Sequence, residues 1–107
     1  MLKKIYNEVT REWDTSVEEA LKSFIRLPAL SPDFDKKWEE NGVLLKALEE
    51  AKAWAEKQGI KGLRCEIIKD DGFTPCLFIE VDATSDKKFE RSVFFYGLLD
   101  KQPPNEG

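Results

Sequence analysis

The chain has 107 residues, 17 basic and 21 acidic, for a net charge of −4; 41% of it is hydrophobic and 36% charged. That suits one small domain with a modest core, and three Trp, seven Phe and two Tyr argue against disorder throughout. Basic residues gather no further than pairs such as Lys36-Lys37 and Lys87-Lys88, which argues against a phosphate-backbone footprint, and the apolar run at Val93-Phe94-Phe95-Tyr96 is far short of the ~20 residues of a membrane span.

No nucleic-acid or membrane partner is therefore expected. The opening residues, Met1 to Glu8, hold no long apolar core and no small-residue cleavage site, so the expected location is cytoplasmic. Two cysteines cannot build a disulfide framework, which fits a reducing compartment. The chain has no histidine. Ser-His and Cys-His nucleophilic pairs are thereby excluded, as is any metal site that uses imidazole. Carboxylates, Cys65 and Cys76 are what remain for a metal.

In chain order, Leu2, Ile5, Val9 and Trp13 recur at helical spacing, which predicts a short amphipathic helix over 2–13. Asp14-Thr15-Ser16 is expected to interrupt it. Ser16-Val17-Glu18-Glu19 reads as a capping box, opening a second helix over about 16–26 with Val17, Ala20, Leu21, Phe24 and Ile25 on one face. Pro28 stops it. Residues 28–41 hold two prolines and no clean period, so they predict a loop with at most a turn of helix. Leu44, Ala47, Leu48, Ala51, Trp54 and Ala55 then form the stripe of a third helix, about 42–58, with Gly59 as a left-handed cap.

Leu63 to Lys69 and Cys76 to Asp82 alternate loosely about Asp70-Asp71-Gly72 and Pro75, a hairpin signal. Ala83 to Glu90 predicts a loop. Val93 to Tyr96 is continuously apolar and predicts a third strand over 91–97, covered on both faces. Residues 101–107 read as a flexible tail. Helices followed by strands make the fold class α+β in a single, incomplete domain.

Ser92-Val93-Phe94-Phe95-Tyr96-Gly97-Leu98-Leu99-Asp100-Lys101-Gln102-Pro103-Pro104 resembles the first metal-binding motif of the two-zinc peptidase and deacylase family. Carnosine dipeptidase, aminoacylase, acetylornithine deacetylase and carboxypeptidase G belong to that family. Its pattern is an apolar strand, then Tyr-Gly-His-x-Asp, often followed by Lys or Val, Gln and Pro. Upstream, Phe24-Ile25-Arg26-Leu27-Pro28-Ala29-Leu30-Ser31-Pro32 is similar to the family's Ile-Pro-Ser-x-Ser-Pro segment. The likeness spans most of 16–107 and implies the N-terminal part of a three-layer α/β/α zinc-exopeptidase domain. It further implies metal-assisted hydrolysis of a peptide or amide bond, with zinc as the parent family's cofactor.

Two departures accompany the likeness. Leu98 stands where the family has its zinc-binding His, and a leucine has no lone pair to offer. The family's bridging Asp, its Glu-Glu pair, a further acidic ligand and a last His have no counterparts in this sequence. Asp100 matches the motif's Asp, whose role is to orient the metal-binding His; here it is a relict. No cofactor is therefore expected for this chain, and it is expected to be inactive alone, with a peptide substrate only in a full-length parent. The resemblance also implies that a further strand, absent here, separates 91–97 from the hairpin. The short 83–90 loop instead suggests direct pairing beside 76–82. If the slot stays open, the exposed sheet edge favours a homo-oligomer. A stand-alone, non-catalytic interaction module is the alternative reading.

Other features have plainer explanations. Cys65 and Cys76 read as small buried hydrophobes rather than a redox pair. Trp54 reads as core and Trp38 as a loop anchor. Asp70-Asp71 suits a turn better than a calcium site, and Glu39-Glu40 and Glu49-Glu50 read as solvated faces.

Overall fold

The computed structural model describes residues 1–85 and 91–105. The class is α+β: among the described residues, a long helix with a π turn in its middle, two further helices and a two-stranded antiparallel hairpin. Residues 86–90 of the expected 83–90 loop, and 106–107 of the expected tail, lie outside the described residues.

The first two predicted helices are one. α1 (Leu2–Glu12) runs through a wide π turn at Trp13–Val17 into α2 (Glu18–Arg26), and Trp13 and Glu18 both keep helical dihedrals. The expected break at Asp14-Thr15-Ser16 does not occur, and no side-chain cap forms at the start of α2. The reason is visible in the spacing. The apolar series Val9, Trp13, Val17, Ala20/Leu21, Phe24 never misses a turn, and neither Gly nor Pro lies within it. Weak helix formers yield to such a pattern. The Thr15 hydroxyl donates to the Arg11 carbonyl at 2.7 Å, a back-bond that helices tolerate.

Leu27 leaves the helix in an extended conformation (φ −73°, ψ 120°), as the residue before Pro28 favours. In the 28–41 segment, α3 (Trp38–Asn41) is a single turn. Asp35 organises it: one carboxylate oxygen accepts from the Lys37 amide at 3.0 Å and the other from the Asn41 side chain at 2.7 Å. The Asn41 side-chain oxygen Oδ1 in turn accepts from the Val43 amide at 3.0 Å, satisfying one of the free amides at the start of α4 (Val43–Glu56). Gly42 makes the corner with φ 67°. Gly59 closes the far end with φ 66°.

α4 is where the layers meet. Leu44, Ala47 and Leu48 are buried on its inner face, and with Ala29 they are the buried hydrophobics among the described residues. Phe24, Leu27, Trp38 and Val43 pack around this cluster. Trp54, expected in the core, lies a turn and a half beyond and is 39% exposed.

β1 (Leu63–Ile68) pairs with β2 (Cys76–Val81), Leu63 opposite Val81 and Ile68 opposite Cys76. Directly opposed residues share a face. Leu63, Cys65, Ile67, Leu77, Ile79 and Val81 therefore form one face, on which the β1 residues are the less exposed ones; Arg64, Glu66, Phe78 and Glu80 form the other. Arg64 bonds both Asp82 oxygens at 2.8 and 2.9 Å and reaches Glu80 at 3.4 Å. The carboxylates raise the guanidinium's pKa, through the Asp82 hydrogen bond first. The pairs are exposed and contribute little.

The third predicted strand does not form. Residues 91–100 have no strand pairing, and Val93, Phe94, Phe95, Tyr96 and Leu98 are 73–89% exposed. Both faces expected to be covered are bare. The strand has no partner within the described residues, because β2 pairs with β1 alone. The molecule is correspondingly open: its radius of gyration is 16.7 Å, against about 13 Å for a compact domain of this length.

With so small a core, stability concentrates on α4. We expect Leu48→Ala to cost about 2–4 kcal/mol, whereas Ile5→Ala on the exposed face of α1 should stay within about 0.5 kcal/mol. Urea unfolding followed by far-UV circular dichroism checks both.

Candidate functional site

The two stretches that carried the family resemblance are 60 positions apart at their nearest ends, Pro32 and Ser92, and touch in the fold. Leu30 forms a parallel bridge with Lys101. The Lys101 amide donates to the Ala29 carbonyl at 2.9 Å, and the Ser31 amide donates to the Lys101 carbonyl at 2.9 Å. The Lys101 side chain lies along the C-terminal end of α2. Its ammonium donates to the carbonyls of Phe24 and Leu27 and sits 4.1 Å from the centre of the Phe24 ring. These carbonyls also accept from the Leu27 and Ala29 amides, at 3.2 and 2.8 Å, so the ammonium adds a charged donor to each and a cation–π contact besides. Partial burial lowers the ammonium's pKa below its ordinary value, opposed by the nearby Glu50 carboxylate.

Lys101 was expected to begin the flexible tail, yet it is the residue that fixes the C-terminal segment. Nothing local announces this role. A lysine after an aspartate reads as solvated, and its partners lie on a distant helix end.

Between this anchor and the hairpin lies an apolar cleft of about 700 Å³. One wall is β2 with Leu44, Ala47 and Leu48 of α4; the other is residues 93–100. Leu98 and Asp100 both line it. Leu98 offers only methyl groups, and Asp100 is exposed, with no histidine to orient. Of the two arrangements left open by the sequence, direct pairing of 91–97 with 76–82 is not adopted, and the open slot is.

Among the described residues no three Asp, Glu or Cys side chains converge as a metal-binding group. Cys65 and Cys76 lie on neighbouring strands but three register positions apart (Cys65 opposite Ile79, Cys76 opposite Ile68), hence on opposite faces, and both thiols are free. Cys76 is exposed rather than buried. Trp38 packs against the core cluster, as a loop anchor should. Asp70 and Asp71 form a turn: the Phe73 amide donates to the Asp70 carbonyl at 3.2 Å, and Gly72 takes φ 79°, the left-handed position that glycine fills at low cost. Glu39 does more than face solvent. It accepts from the Gly72 amide at 3.1 Å and ties α3 to that turn.

No helix among the described residues is long and apolar enough to cross a membrane. No protein-family model matches this chain, and no curated protein matches it.

Replacing Lys101 by Met should keep its bulk but lose the bonds to Phe24 and Leu27. We expect a loss of about 1–2 kcal/mol and faster proteolysis or amide exchange within 93–100. The pH dependence carries a sign. A lysine whose folded pKa is lowered loses its proton first in the folded state, so stability rises with pH between the folded and the unfolded pKa. That rise should be present in the wild-type chain and missing from Lys101→Met, as read by urea titration across the alkaline range.

Proposed function

We propose that this chain is an N-terminal portion of a metal-dependent peptidase or amidohydrolase domain and that it does not itself catalyse hydrolysis. The observation that carries this reading is the joining of Phe24–Ser31 to Lys101. The two segments that resemble the peptidase and deacylase family are held together as one unit, although neither predicts the other by local rules. The open cleft between β2 and 93–100 supports the same reading, since the resemblance implies a further strand there.

The residues present do not fit zinc. Activating a water on zinc takes about three protein ligands and an open position. Leu98 supplies no donor atom, the chain has no histidine, and Asp100 lies exposed and, among the described residues, apart from any metal-binding group. Loss of catalysis follows from the donor set.

A second reading, a non-catalytic association module, is favoured by a separate observation: the apolar segment 93–98 is left bare, and one edge of β2 has no strand partner among the described residues.

Two measurements test the proposal. The purified chain, supplied with zinc and a panel of dipeptides and N-acyl amino acids, should show no turnover above background, and Leu98→His alone should not change that. Zinc-dependent turnover by either protein would overturn it. Sequencing the source locus past codon 107 should reveal, in frame or after a shift, codons for a Glu-Glu pair and a distal His. A locus with no such sequence would remove the hydrolase reading and leave the association module.

A further inference from the structure

We propose that two copies of this chain associate by reciprocal strand exchange, Val93–Leu98 of each copy entering the cleft of the other and pairing with its β2 edge. This inference does not rest on the hydrolase reading.

The chain carries both halves of the interaction. Val93–Leu98 has six residues and no charge; β2 also has six. Each spans about 20 Å when extended. Among the described residues, nothing pairs with the second edge of β2. Its sequence, Cys-Leu-Phe-Ile-Glu-Val, contains no Pro and no Lys, the usual blocks to edge pairing. Its one charged residue, Glu80, is engaged by Arg64 on the outer face. The register identifies the available groups. The Asp82 amide donates to the Gly62 carbonyl, and Gly62 lies opposite Asp82 by extension of the Leu63–Val81 pairing. In an antiparallel ladder, hydrogen-bonded pairs alternate with pairs whose amides point away. Leu77, Ile79 and Val81 therefore direct their backbone groups at the cleft.

Size decides in favour of a second copy. The rings of Phe94, Phe95 and Tyr96 are 79–89% exposed, and aromatic side chains bury about 150–250 Å² each. Two reciprocal strands, with the cleft walls they cover, remove on the order of 2,000 Å² from water, in the range of a stable dimer. The geometry closes as well. Each cleft lies between β2 and the same copy's own 93–98, so one inserted strand fills it. The resulting order is β1, β2, second copy's 93–98, own 93–98, second copy's β2, second copy's β1. Both clefts are filled once, around a twofold axis, with no strand left over, which gives a closed isologous dimer.

The competing surface is α1, whose Leu2, Ile5 and Val9 are also exposed.

Sedimentation velocity from micromolar to near-millimolar concentration is the test, with hydrogen exchange read at both extremes. We expect a dimer at high concentration. Phe95→Lys should weaken it by at least about tenfold, while Ile5→Lys leaves it unchanged. In the wild-type chain, the Leu77, Ile79 and Val81 amides should be better protected at high concentration, a readout that needs no variant to fold. A monomer at every concentration would overturn the proposal. So would a dimer broken by Ile5→Lys but not by Phe95→Lys, or one that leaves the β2 amides unprotected.

Discussion

Most of the tertiary packing in this molecule leans on the inner face of α4. Leu44, Ala47 and Leu48 are the points where the end of α2, the single turn α3 and the β hairpin converge. The apolar area removed from water there is small, and hydrophobic stabilisation scales with that area. The polar devices around α4 are correspondingly numerous. Asp35 holds Asn41, Asn41 starts α4, and Glu39 pins the hairpin turn through Gly72. Each is exposed and modest alone. Together they set the direction in which α4 presents its stripe.

The second constraint is Lys101. Its ammonium closes the carbonyl end of α2, while its backbone pairs with residues 29–31. One residue thus serves a helix terminus and a strand-like bridge. The consequence is spatial: with its far end held there, 93–100 stands off from β2 and becomes the opposite wall of a cleft. Placed beside β2, the same segment would have completed a three-stranded sheet. The exposed aromatics at 94–96 are the energetic residue of that choice, since large apolar surface left in water is unfavourable.

How much was legible differs element by element. α4 was readable because six apolar residues share one face, and periodicity of that strength survives most tertiary contexts. The hairpin was readable from Asp70-Asp71-Gly72, because only a few residue types make such a turn cheaply. The join between α1 and α2 was misjudged: Asp14-Thr15-Ser16 carries cap-type residues, but the apolar series ran straight through them. A local preference worth tenths of a kcal/mol per residue yields to an unbroken face. The strand at 91–97 was misjudged for another reason. A continuous apolar run signals burial, and burial needs a partner that the run does not itself provide. At the candidate site, Leu98 and the missing histidines could be read directly, whereas the role of Lys101 could not.

By itself, the amino-acid sequence determined the α+β class, a helix over about 42–58, the hairpin and the absence of imidazole chemistry, because each depends on residue type or on spacing within a short stretch of chain. Only the tertiary structure decided that 24–31 meets 101, that Cys65 and Cys76 face opposite ways, and that an apolar cleft lies open beside β2. Those outcomes depend on which backbone groups find partners across long stretches of chain. That competition is settled by the whole set of available donors, acceptors and apolar surfaces, not by any one segment.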